Sequence, residues 1–246
     1  MAGVANLLRA GMSVLTRSQK AGNSPLHLQI EPSTFCNLKC GFCVREKNVF
    51  TPKHMPFERF KEVFDQAKPM RVTFAGDGEP TLCPDLFRMI RYASDQGAKT
   101  IVTSNGTRGV DLVDEILDSG LSALRISIDA ATAQTYIAMR LADFHDGIIE
   151  GIRKLQEAKK ARGLAHPDVG FEYVLGRDNF HEIQDVVTLA ADLGLCRVNF
   201  RPLNLVGVTP HSAHCGLSRG SWESAMSGFP QCAPGGSVPK TGFRPC

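Results

Sequence analysis

Between residues 26 and 203 the chain alternates between two spacings of apolar positions. LHLQIEPSTF (26–35), RVTFAG (71–76), KTIVTSNG (99–106), ALRISIDA (123–130), VGFEYVLG (169–176) and RVNFRPL (197–203) are short runs, alternating or clustered, that read as strands. Between them, FERFKEVFDQA (57–67), PDLFRMIRYASDQG (84–97), VDLVDEILDSG (110–120), a long stretch from Thr132 to about Arg162, and FHEIQDVVTLAADLG (180–194) place apolar residues three and four apart and read as helices. The helices over 84–97, 110–120 and 180–194 end at a glycine, the usual C-terminal signal. Six strands alternating with five helical stretches call for crossover connections, and crossovers make neighbouring strands parallel. The expected fold class is α/β, a partial (β/α)6 barrel of parallel strands with an irregular C-terminal tail. A six-stranded doubly wound sheet is the main structural competitor.

The rhythm is absent at both ends. MAGVANLLRAGMSVLTRSQK carries Arg9, Arg17 and Lys20, no acid, and apolar residues at helical spacing. It reads as a plain terminal helix or as an amphipathic targeting or membrane-surface helix. Arg9 interrupts the stretch and no apolar core follows the start, which argues against a signal peptide. Beyond Val208 the chain is rich in glycine, proline and serine and reads as loop or disorder. The expected organisation is a helical extension over 1–23, a core over 24–208 and an irregular tail over 209–246. In that tail His211, His214 and Cys215 crowd together, while Cys215, Cys232 and Cys246 form no C-x2-C pair, which leaves a second metal site and an unstructured tail as alternatives.

Composition narrows the class. At 246 residues and 43% apolar content the chain can bury one large core, and no apolar run is long enough to span a membrane. The net charge of +3 is mixed along the sequence with no basic block to follow a phosphate backbone, so nucleic acid is not an expected partner. Eight cysteines are too few for a disulfide scaffold, and the three in STFCNLKCGFC have metal-ligand spacing, which favours a reducing, cytoplasmic compartment.

Ligands of parallel α/β folds sit at the carboxyl ends of the strands. CNLKCGFC follows the first strand, GDGEPT the second and TSNGT the third, and SIDA ends the fourth, so the chemically loaded stretches share one rim. Cys36, Cys40 and Cys43 supply three thiolates, and the next cysteine in sequence is Cys83. A structural zinc site closes with four ligands and would need Cys83 or His54 to fold back. An iron–sulfur cluster on three thiolates would leave one iron free for a substrate or cofactor. Three unligated, partly buried cysteines are the remaining alternative.

The motif of Cys36, Cys40 and Cys43, with Phe42 just before the third cysteine and Gly78-Glu79-Pro80 after the second strand, resembles the radical S-adenosylmethionine (radical SAM) enzymes over roughly residues 24–205. The resemblance implies a [4Fe-4S] cluster on the three cysteines, its open iron chelated by the amino and carboxylate groups of S-adenosyl-L-methionine. It further implies an oxidoreductase in which one electron from an external donor cleaves that cofactor to methionine and a 5′-deoxyadenosyl radical. The radical then removes a hydrogen atom from a peptide or small-molecule substrate. Carried onto this sequence, the resemblance puts Phe42 near the adenine, and the turn with Gly78 and Glu79 at the methionine amino group. It puts Ser104 and Asn105 near the ribose and methionine ends, Ser127 at the ribose, and Arg140 at the methionine carboxylate, with Asp129 at the rim towards substrate.

Read without the resemblance, the same residues are ordinary. Phe42 is then a core aromatic, AGDGEPT a glycine-rich turn, and Asn105-Gly106 a turn that needs no ligand. Asp129 or Thr132 would cap the next helix, and Arg140 would be a solvated charge. The sequence also departs from the family, with Asp77 where glycine is commoner and a tail unlike the cysteine-rich auxiliary-cluster domain of many relatives. A non-catalytic iron–sulfur protein for electron transfer or regulation is therefore the second function class. A dinucleotide-binding sheet is a weaker third, because no G-x-G-x-x-G follows the first strand.

Overall fold

The computed structural model describes residues 2–43, 45 and 51–203. Six strands lie in one parallel sheet: β1 (His27–Ile30), β2 (Arg71–Phe74), β3 (Lys99–Ser104), β4 (Ala123–Ser127), β5 (Asp168–Leu175) and β6 (Val198–Pro202). Their spatial order is their order in sequence. A doubly wound sheet reverses its order at a switch point. This sheet never reverses, so the competitor is excluded and the architecture is a half-barrel with helices on its outer face.

Apart from α1 (Ala2–Leu15), the helices are α2 (Phe57–Ala67), α3 (Leu86–Asp95), α4 (Val113–Asp118), α5 (Ala133–Arg140), α6 (His145–Ala161) and α7 (Ile183–Asp192). The core between sheet and helices is built from the apolar positions of the alternating pattern. Val72 and Phe74 of β2 are buried while Arg71 is exposed, and the Phe60 ring of α2 lies 5.5 Å from that of Phe74. No helix among the described residues is long and apolar enough to cross a membrane.

The helix expected from Thr132 to about Arg162 is in fact two. Leu141 takes a left-handed conformation at φ 55°, its N–H closes α5 on the Ile137 carbonyl, and α6 begins only at His145. No glycine or proline marks the break. It is fixed by tertiary contacts, because Met139 and Arg140 on the last turn of α5 reach the loop that follows β1. The irregular tail over 209–246, with His211, His214 and Cys215, lies outside the described residues.

Candidate metal centre

The three clustered cysteines sit on the loop leaving β1, and among the contacts that pin that loop are those at Phe35, Asn37 and Gly41, next to the cysteines. The Glu79 N–H donates to the Phe35 carbonyl at 2.7 Å, Asn37 Nδ2 donates to Thr107 Oγ1 at 2.8 Å, and the Gly41 N–H donates to the Met139 carbonyl at 3.3 Å. Cys36 lies between the first two anchors and Cys40 beside the third. The chain then turns back, with the Cys43 N–H donating to the Cys40 carbonyl at 3.0 Å. All three thiols are free; Cys40 is buried, and Cys36 and Cys43 are partly so.

Polar groups approach two of the sulfurs. Arg140 Nη1 points at Cys40 Sγ from 3.6 Å and Asn105 Nδ2 at Cys36 Sγ from 3.9 Å. Burial pushes both thiols above the usual cysteine range; Arg140 opposes this at Cys40, and the Leu38 N–H opposes it at Cys36. The Phe42 ring centre is 5.5 Å from the Arg140 guanidinium carbon. Arg140 is itself buried, ion-paired through Nη2 with the fully buried Asp129, and its Nε has no hydrogen-bond partner among the described residues. Asp129, expected at the rim, instead faces inward at φ 56°, where its Oδ1 accepts from the Val174 N–H at 2.6 Å. The cap expected of Asp129 or Thr132 is made by Thr132, whose Oγ1 accepts from the Thr135 N–H.

The turn after β2 is packed against the cysteine loop as closely as backbone allows. A Cβ on Gly78 would stand 2.0 Å from the Ser33 carbonyl oxygen and 2.8 Å from that of Phe35, so only glycine fits. The Asp77 and Gly78 N–H groups donate to Glu31 Oε1 at 2.6 and 3.0 Å. Glu79 turns its carboxylate inward, where Oε1 accepts from the Thr81 N–H, Thr81 Oγ1 and Ser104 Oγ, and Oε2 from the Asn105 N–H. Ser104 also accepts from the Gly106 N–H at 3.0 Å, and Asn105 Oδ1 accepts from the Thr107 N–H and hydroxyl. Ser127, at the end of β4, is half-buried, and its hydroxyl makes no hydrogen bond among the described residues.

The structure thus brings together Cys36 with Asn105, Cys40 with Arg140 and Phe42, and Glu79 with Ser104 and Asn105. Among the described residues the Ser127 side chain makes no hydrogen bond to any of them, although its strand neighbour Ile126 is register-paired with Ser104. Sequence reasoning missed Glu31 and Asn37. A carboxylate ending β1 opposite a glycine-rich turn was the available signal for Glu31; Asn37 gave none beyond its place between two cysteines.

A zinc site closed by Cys83 or His54 is not formed. Cys83 is buried in the core with its thiol towards the Met55 carbonyl at 3.8 Å, and His54 stacks on Phe35 with ring centres 4.6 Å apart. Among the described residues no three His, Cys, Asp or Glu side chains converge as a single ion requires. A cluster asks for something else, since each cysteine binds a different iron corner and the sulfurs stand apart. Three cysteines on one pinned loop, with N–H donors beside two of the sulfurs and alongside them a buried Arg140 Nε that has no hydrogen-bond partner among the described residues, fit that demand.

Residues 30–190 match the family described as the radical SAM superfamily. The chain is 26% identical over 195 residues to the tungsten-containing aldehyde ferredoxin oxidoreductase cofactor-modifying protein of Pyrococcus furiosus, covering 76% of this chain and 54% of that protein. It is 27% identical over 188 residues to the PqqA peptide cyclase of Bradyrhizobium diazoefficiens, covering 74% and 48%. Among solved structures, Streptococcus suis SuiB bound to its precursor peptide SuiA superposes with a TM-score of 0.66 at 19% identity, over 84% of this chain and 44% of that one. The chain spans about half the length of the curated relatives it matches.

Proposed function

The chain belongs to the radical SAM superfamily, whose cofactors are a [4Fe-4S] cluster and S-adenosylmethionine, and from that premise we propose that Cys36, Cys40 and Cys43 hold the cluster of a radical enzyme acting on a peptide. The observation that carries the reading is the pinned loop that holds three free thiols at the carboxyl ends of the strands, with Asn105 and Arg140 donating towards two of them. When bound, the cluster and S-adenosylmethionine supply reductive cleavage to methionine and a 5′-deoxyadenosyl radical, which removes a hydrogen atom from the substrate.

The chain's own residues contribute placement and charge. The Asn105 amide and the Arg140 guanidinium each set an N–H donor beside a sulfur, and at Cys40 Arg140 works against the burial that raises the thiol's pKa. Glu31 and Glu79 hold the turn after β2, and the close approach at Gly78 seats that turn against the cysteine loop, from which it would help hold the methionine end of the cofactor. Glu79 and Ser104 act here as positioning residues, since each spends its side chain on the protein. The Ser127 hydroxyl, which makes no hydrogen bond among the described residues, would be available to the ribose, and the Phe42 ring lies over the Arg140 guanidinium. Arg140 would be the residue to hold the methionine carboxylate, since its Nε has no hydrogen-bond partner among the described residues while its Nη1 faces the Cys40 sulfur. A peptide substrate is supported by the likeness to a peptide cyclase.

The test is anaerobic reconstitution with iron and sulfide, chemical reduction, and chromatography for 5′-deoxyadenosine. Wild type is expected to form it, and Cys36→Ala, Cys40→Ala and Cys43→Ala are expected to form none. Wild type that carries the cluster, binds S-adenosylmethionine and still yields no 5′-deoxyadenosine would return the chain to the non-catalytic class.

A further inference from the structure

Helix α1 is amphipathic, and it sits on the protein the wrong way round for a helix that serves the core. Asn6, Ala10 and Ser13 form one stripe at spacings of four and three, and these are its half-buried positions. Asn6 exchanges two hydrogen bonds with Ser24, at 2.9 and 3.1 Å, and Ser13 Oγ accepts from the Gly22 N–H at 3.4 Å. The polar edge therefore faces the chain. The apolar side, Val4, Leu7, Leu8, Met12, Val14 and Leu15, faces outward, with Leu8 66% and Leu15 79% exposed. A helix buried by its own fold shows the reverse arrangement.

Charge says what such a face fits. Arg9, Arg17 and Lys20 are all exposed, and no acidic residue occurs before Glu31. An exposed apolar helix face in a stretch that carries cations and no acid, with Arg9 on the far side of the helix and Arg17 and Lys20 just past its end, matches an anionic bilayer surface, where the apolar side chains enter the acyl boundary and the cations meet headgroups. A second protein copy would bring the same cations into opposition, which disfavours self-pairing through this face. The attachment at residues 22–24 lies just before β1, at the opposite end of that strand from the cysteine loop, so the rim stays clear.

We propose that α1 is a peripheral anchor that docks the enzyme on an anionic lipid surface through Val4, Leu7, Leu8, Met12, Val14 and Leu15, with Arg9, Arg17 and Lys20 as its electrostatic contacts. The inference is independent of the radical chemistry.

The experiment is co-sedimentation of the full chain with vesicles of phosphatidylcholine alone and of phosphatidylcholine mixed with phosphatidylglycerol. Wild type is expected to bind the mixed vesicles and to be released by salt. Arg9→Gln, Arg17→Gln and Lys20→Gln together should lower partitioning by about fivefold per cation, on the order of 100-fold in all. Leu8→Glu with Leu15→Glu should lower it at least about tenfold, with an unchanged far-ultraviolet circular dichroism spectrum. Equal binding to both vesicle types, variants that bind like wild type, or wild type that ignores mixed vesicles would each overturn the proposal. So would a wild-type dimer in light scattering that the two glutamates convert to monomer, since the face would then be covered by a second copy.

Discussion

Replacing Glu79 by glutamine tests whether this side chain braces the site or touches the cofactor. Its carboxylate is 2% exposed and accepts four hydrogen bonds, at 2.9 and 2.7 Å from Thr81, 2.8 Å from Ser104 and 2.7 Å from the Asn105 N–H. A glutamine can keep the first three by placing its carbonyl where Oε1 stands. Its amide nitrogen then confronts the Asn105 N–H, donor against donor, and that buried backbone group loses its acceptor. One charge-assisted bond lost, with an orphaned donor, costs about 2 to 3 kcal/mol. Glu79→Ala orphans the Thr81 and Asn105 N–H groups together and costs on the order of 4 kcal/mol. Urea unfolding of the cluster-free chain reads this directly, as a lower midpoint at unchanged slope. A Glu79→Gln chain that unfolds at the wild-type midpoint, yet binds S-adenosylmethionine more weakly once reconstituted, would refute the brace and make Glu79 a cofactor contact.

Arg140→Ala leaves Asp129 buried without its counter-charge and is expected to destabilise the chain by about 3 to 5 kcal/mol, with Asp129→Asn in the same chain restoring about half; a double-mutant cycle in urea checks it, and additive losses would contradict the pairing. Burial alone would raise the pKa of Glu182, but hydrogen bonds from Thr132, Thr135 and Ala131 outweigh it and hold the pKa below the usual carboxylate range. Its stabilisation is therefore complete above about pH 4.3 and lost as pH falls through the lower folded-state pKa, so Glu182→Gln should lower stability at pH 7 by about 1 to 2 kcal/mol and flatten the acid limb of the stability profile. Cys83→Ala should leave the iron and sulfide content of the reconstituted chain unchanged, because Cys83 sits in the core facing Met55.

Local patterns were legible where local physics decides. The expected bounds of 57–67 coincide with α2, because Phe57, Phe60 and Phe64 mark one face, and Lys68, left-handed ahead of Pro69, ends the helix. That the strands run parallel followed from their alternation with helices, and the cysteine loop from its spacing together with its place after the first strand, whereas the sequential strand order was separated from a doubly wound sheet only by the pairing of β1 through β6. The break at Leu141 was not legible, since no residue there disfavours helix and the turn exists to carry Arg140 to Cys40. The Asp129–Arg140 pair was hidden for a related reason. Its members lie on either side of a strand-to-helix turn, and only the packing of α5 behind the cysteine loop closes them into an ion pair. Glu79 shows the limit of motif reading: the motif placed it at the site, while the direction of its carboxylate was set by Ser104 and Asn105 on the next strand exit.

The central claim is that three cysteines hold one cluster whose remaining iron takes S-adenosylmethionine. Electron paramagnetic resonance of the reduced, reconstituted chain, recorded with and without that cofactor, tests it most directly. The expected result is a [4Fe-4S] signal that shifts when the cofactor is added and is absent from the Cys36→Ala, Cys40→Ala and Cys43→Ala chains. A signal that survives loss of any of these cysteines, or one that S-adenosylmethionine leaves unchanged, would contradict the account.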